Sequence, residues 1–197
     1  MREMIKMVVA LTLLSVISGF GLSAMYAITK DPIKMAELNQ VYAPQLKRIV
    51  PGFDNDPIKD TVEIKAGKDD KGRDIIKPVF PCKKGGQVFA VGVDAAASGF
   101  GGPIKMLIAI NTKTDTIIDV AILTHAETKG VGTKMEGPFL ARFKSVPAAQ
   151  PIDLKADGGK IDGMSGASFS SKGIMTAVKD GMAFYKSNKD GILKSIK

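Results

Sequence analysis

Residues 104–123 read IKMLIAINTKTDTIIDVAIL: two runs of aliphatic and β-branched residues on either side of the polar segment 112–115. Such residues favour extended chain, and a short polar break between two runs of this kind predicts a β-hairpin. Working outward, 61–124 repeats the pattern in shorter pieces separated by turn formers such as Lys71-Gly72 and Gly85-Gly86. A further strand is expected over 88–93. Beyond the hairpin the rhythm changes. A short helix is expected over 137–144 and a longer one over 171–186, with Ile174, Val178, Met182 and either Phe184 or Tyr185 facing inward. The fold class implied is α+β, without internal repeats or low-complexity segments.

On the other side of the strands, residues 7–29 carry no charge and read MVVALTLLSVISGFGLSAMYAIT. As a helix they span about 35 Å, enough for a hydrocarbon core of about 30 Å. A single N-terminal transmembrane helix is therefore expected. The competing reading is a cleaved signal peptide, whose apolar region is normally only about 7–15 residues. Small residues Ser18, Gly19, Gly21, Ser23 and Ala24 suit either a closely packed helix partner or plain exposure to lipid. Arg2 and Lys6 before the span slightly favour an N-terminus on the cytoplasmic side. Asp31-Pro32 has the form of a cap followed by a first helical position, so a separate stalk helix is expected after it, kinked at Pro44 and stopped by Pro51-Gly52. The expected organisation is an anchor over 1–30, a stalk helix and linker over 31–59, one compact domain over 60–187, and a C-terminal tail or short helix over 188–197.

Of 197 residues, 45% are hydrophobic and 24% charged, which excludes a disordered chain. The formal charge is +8. Its basic residues alternate with acidic ones and lack interleaved aromatics, so a nucleic-acid interface is not indicated and a solvated face is. The lone Cys82 excludes an internal disulfide and a cysteine-based metal centre. No metal site is expected, and the thiol reads as a structural residue.

Three segments carry chemistry. DGMSGASFSS (162–171) runs into the expected helix; glycines and hydroxyls at a helix start, where backbone N–H groups are unpaired, suit a phosphate or simply a serine-rich cap. HAETKGVGTK (125–134) leaves a strand and enters a glycine-punctuated loop able to lie against a flat ligand. His125 within it is also readable as a hydrogen-bonded structural residue, and Glu127 as simply exposed. Ser165, in Gly163-Met164-Ser165-Gly166-Ala167, approximates a nucleophile elbow with alanine in the second glycine position. A serine hydrolase would need His125 as its base, and nothing nearby marks a third member.

Together, SGFGGPIKMLIAIN (98–111), HAETKGVGTK and DGMSGASFSS, in this order behind an N-terminal span, resemble the FMN-binding domain family. Within it the layout resembles the G subunit of Rnf-type ion-translocating electron-transport complexes, whose cousin is the C subunit of the sodium-translocating NADH:quinone oxidoreductase. The resemblance implies that a flavin transferase joins FMN by a phosphoester to the last hydroxyl of a Ser-Gly-Ala-Thr motif, here Ser168. It also implies that Asp162, Ser165, Gly166 and Ala167 form the modification loop, and that His125, Glu127, Thr128, Gly130, Val131 and Gly132 border the isoalloxazine. Serine replaces the family's usual threonine at 168, and Lys129 stands where proline is usual. By the same resemblance the chain relays electrons among other redox and membrane subunits, as one part of a ferredoxin:NAD oxidoreductase that moves sodium or protons. It would have no catalytic acid–base residues of its own, and its domain would lie on the periplasmic side of the inner membrane. The rival class is a non-redox, membrane-tethered assembly subunit.

Overall fold

The computed structural model describes residues 1–68, 71–128, 130, 135 and 137–196. It divides into two compact units, Met1–Gln40 and Val41–Lys197. The first unit holds helix α1, Arg2–Glu37, none of whose residues is buried. Its 36 residues rise about 54 Å, and its apolar window has a mean hydropathy of 2.0, so it is long and apolar enough to cross a membrane. Among the described residues, nothing lies close to Gly19 or Gly21.

Asp31 is not a helix cap. Pro32 lies inside α1, which runs on to Glu37. The fixed φ of proline suits a helix and its missing N–H costs one bond, so strong helix on both sides carries it through. A π-helical turn, Leu38–Tyr42, precedes the short helix α2, Ala43–Ile49. That widened turn takes up the missing donor of Pro44, which sits near the start of α2 and does not interrupt it. α2 ends just before Pro51-Gly52, where Gly52 adopts φ +89°.

In the second unit, β1 (Val62–Lys68), β2 (Asp74–Lys84), β3 (Gln87–Ser98), β4 (Pro103–Asn111) and β5 (Thr116–Thr124) form one antiparallel meander in chain order. The hairpin expected over 104–123 is β4–β5, with Asn111 opposite Thr116. Alternation along the strands sends their side chains to two cores. Phe80, Leu107 and the Gly92 backbone meet Leu46 of α2, while Tyr42 packs on Phe80 with ring centroids 5.2 Å apart. The other face, with Val91, Val93, Ile108 and Ile110, is covered by the long helix α3, Ser168–Ser195, and by the irregular segment leading into it. At the closest approach, a Cβ on Gly181 would come within 2.2 Å of Ile108 Cδ1. Cys82 is buried in the sheet, and burial pushes its thiol up to about 12.

Ile174, Val178, Met182, Phe184 and Tyr185 are all buried, as the helical spacing requires. The boundary expected at 187/188 falls inside α3, which continues to Ser195 because Ile192 and Ile196 also find the core. The short helix expected over 137–144 is a turn followed by the 3-10 segment Leu140–Phe143.

Candidate functional site

Antiparallel pairing gathers the site at one end of the sheet. Ser98, the last residue of β3, faces Pro103, the first of β4, and Lys105 faces Thr124, the last of β5. The glycine loop 99–102 and the chain leaving β5 are thereby neighbours. The loop closes with the Gly99 N–H donating to the Gly102 carbonyl at 2.7 Å. It then presses against 126–127 with no room for side chains. A Cβ on Gly101 would lie 2.2 Å from the Ala126 carbonyl oxygen, and one on Gly99 would lie 2.2 Å from Glu127 Oε1.

Helix α3 enters the same place. Gly173 meets the Ser98 carbonyl, where a Cβ would be 2.7 Å away. Glu127 is buried and joins the pieces: its Oε1 accepts from the Gly101 N–H at 3.2 Å, and its Oε2 accepts from the Ser170 hydroxyl at 2.9 Å. The three motifs noted in the sequence are thus one contiguous structure held by a carboxylate.

The turn before α3 is fastened by Ser171, whose Oγ accepts from the Met164 N–H at 2.8 Å and donates to the Ala167 carbonyl at 2.9 Å. Gly166, at φ +75°, makes the reversal that an L side chain would strain. Ahead of it, Arg142 Nη1 donates to the carbonyls of Asp162 and Gly163, and Lys155 pairs with the Asp162 carboxylate at 2.9 Å. Ser168 then opens the helix. It is exposed, and no side chain caps the first turn, so the leading N–H groups of α3 are left without a side-chain acceptor at the cap.

A cleft of about 520 Å³ lies here, lined by Phe100, Glu127, Thr128, Gly166, Ala167, Ser168, Phe169 and Ser170. Five of the residues expected from the sequence therefore meet in it: Glu127, Thr128, Gly166, Ala167 and Ser168. Asp162 and Ser165 are exposed and do not line the cleft. Gly130 is exposed at φ +89°. His125 is exposed, and its Nδ1 accepts from the Glu127 N–H at 3.1 Å. Among the described residues no hydrogen bond links His125 to Ser165, so the base–nucleophile pair of a hydrolase is not formed. Val131 and Gly132 lie outside the described residues.

Sequence reasoning missed Phe100, Phe169 and Ser170. The two phenyl rings are 73% and 71% exposed, although burying such a side chain is worth about 1.5–3 kcal/mol. The available signal was a large apolar residue in a glycine or serine segment with no strand or helix period to claim it. Among the described residues, no group of His, Cys, Asp and Glu could hold a metal ion.

The site fits FMN in kind. It offers an alcohol at a helix start for a phosphate, and a partly aromatic cleft within the size range of about 300–1,000 Å³ usual for ligand pockets. Residues 99–183 match the FMN-binding domain family. The G subunit of the ion-translocating oxidoreductase complex of Aliivibrio fischeri is 27% identical over 200 residues, covering 96% of this chain and 94% of that protein. The G subunit from Pseudomonas aeruginosa is 28% identical over 202 residues, covering 98% and 93%. The fold is shared with the C subunit of the Na(+)-translocating NADH-quinone reductase from Parabacteroides distasonis, with a TM-score of 0.52 over 80% of this chain and 94% of that one at 17% identity. From the glycine loop to the middle of α3, then, this chain is similar to the FMN-binding domain family, within a sequence similar nearly end to end to the G subunits of ion-translocating oxidoreductase complexes.

Proposed function

We propose that this chain is an FMN-carrying electron-transfer subunit of a membrane-bound ion-translocating ferredoxin:NAD oxidoreductase, with the flavin held by a phosphoester to Ser168 Oγ. The observation that carries the reading is the contrast among neighbouring hydroxyls. Ser168 is exposed in the cleft at the first residue of α3, whereas Ser170 and Ser171 are sealed and engaged with Glu127, Met164 and Ala167. Only an open alcohol can be reached by a flavin transferase during maturation.

When bound, FMN supplies the redox chemistry. The residues of the chain position it. Ser168 would fix the phosphate end, and the uncapped N–H groups of the first turn of α3 would stabilise its charge. Gly166 and Ala167 keep the near wall low, and Thr128, Phe100 and Phe169 offer surface to the ring. Glu127 sets the glycine loop against the helix and so fixes the width of the cleft. Electrons pass to and from centres in other membrane and redox subunits, and the chain needs no acid–base group of its own. α1 anchors it as a single span in the inner membrane, with its N-terminus in the cytoplasm and the flavin domain on the periplasmic side.

The deciding experiment is peptide mass spectrometry of protein produced with its flavin transferase. An FMN-phosphoryl adduct is expected on the peptide containing Ser168, absent in Ser168→Ala and retained in Ser165→Ala and Ser168→Thr. An adduct that persists in Ser168→Ala defeats the site assignment. A colourless wild-type protein favours the assembly-subunit reading instead.

A further inference from the structure

Phe100 and Phe169 reach the same cleft from unrelated elements. Their ring centroids are 6.3 Å apart with planes inclined at 55°, and both are largely in solvent. The exposure of Phe100 is built in. Its two glycine neighbours are seated against Ala126 and Glu127 too closely for any Cβ, and the Gly99–Gly102 hydrogen bond closes the loop beneath it. A loop pressed down on that side leaves the residue between its glycines the outward direction only. Phe169 is held by the two serines after it: Ser170 and Ser171 are buried and hydrogen-bonded, which fixes the rotation of the helix and turns Ser168 and Phe169 outward together.

We propose that Phe100 and Phe169 form an aromatic clamp that receives the tricyclic ring of the flavin and shields it from water. The inference rests on FMN being attached at Ser168. A flat π-system stacks offset or edge-on against phenyl rings, and two rings already in contact need only rotate to admit one. Phenylalanine suits the task chemically. Unlike tyrosine or tryptophan it does not readily give an electron to a photoexcited flavin, so it buries the ring without quenching its fluorescence by electron transfer.

The test uses full-length, flavin-loaded protein in detergent, with Phe100→Ala, Phe169→Ala, Phe100→Tyr and Phe169→Tyr, and peptide mass spectrometry to count adduct in each. Iodide should quench wild-type flavin fluorescence weakly, and the alanine variants should quench towards the level of free FMN. The tyrosine variants should lose fluorescence several-fold per bound flavin, because a phenol in contact with the ring donates an electron to its excited state. If the alanine changes prevent loading, the tyrosine variants decide. Wild-type quenching and intensity in every loaded variant overturns the clamp while leaving the attachment at Ser168 standing. A wild-type chain without adduct overturns both.

Discussion

Between Ser168 and Ser171, three hydroxyls within about one helical turn meet different fates. Ser170 and Ser171 are structural, so their loss should be felt as stability. Ser170→Ala leaves Glu127 Oε2 without its donor in a buried position, and the change should cost about 1–3 kcal/mol, read as a lower midpoint in urea unfolding. Asp94 gives the opposite expectation. Among the described residues its buried Oδ1 has no hydrogen-bond partner, and burial raises its carboxyl above the ordinary range despite Lys77, Lys105 and the Tyr42 hydroxyl nearby. A carboxyl raised on folding contributes stability at low pH that is lost as pH climbs through its folded value. Asp94→Asn should therefore stabilise the protein at neutral pH, and the gain should shrink on acidification; an unchanged unfolding midpoint at pH 7 would contradict this. The sequence made Ser168 and Glu127 legible because a motif named them. Phe100 and Phe169 were hidden because their placement depends on contacts such as that of Gly101 with Glu127, 26 residues further along the chain, which no local period records.

At the scale of elements, the strands were legible because β-branched runs and glycine turns alternate clearly from 61 to 124. The extent of α3 was not. Its last two turns are held by tertiary contacts, including the Lys189 ammonium and Tyr185 hydroxyl on Asp115, at 2.6 and 2.8 Å, in the β4–β5 turn. Burial alone would raise Asp115, but these two donors bring its carboxyl below the usual range; burial, followed by the hydrogen bond to Asp115, raises the Tyr185 phenol. The signs set two limits. The Asp115 contribution is present above about pH 4 and fades as pH falls through its lowered folded value. The Tyr185 contribution is present below about pH 10 and fades as pH rises towards its raised one. Unfolding midpoints measured across pH should decline at both ends, with Asp115→Asn flattening the acid limb and Tyr185→Phe the alkaline one. Pro32 was misread because a proline after an aspartate has the form of a helix start, yet α1 passes through it.

For the whole molecule, all the buried hydrophobic residues among those described, except Leu38, lie within Val41–Lys197. Deleting residues 1–40 should leave a monomeric, detergent-independent domain with one cooperative melting transition, checked by size-exclusion chromatography and differential scanning fluorimetry. Cys82 should resist alkylation in that domain until it unfolds, since both burial and its raised ionisation range keep the thiolate away. The general plan, one apolar helix and one α+β domain, could be read from charge-free length and strand rhythm alone. Charge and rhythm alone did not show that the three motifs touch, because that contact is made by glycine backbone against backbone and by the Glu127 carboxylate between Gly101 and Ser170, groups far apart in the chain.

The open hydroxyl at the start of α3 also bears on biogenesis. Since Ser168 is exposed on a folded turn whose neighbours Ser170 and Ser171 are already engaged, the proposed loading need not be tied to translation or to export. On the proposed attachment, a folded but colourless domain tethered by its apolar helix would be a reserve, and the amount of active complex would be set by when the dye arrives rather than by when the chain is made.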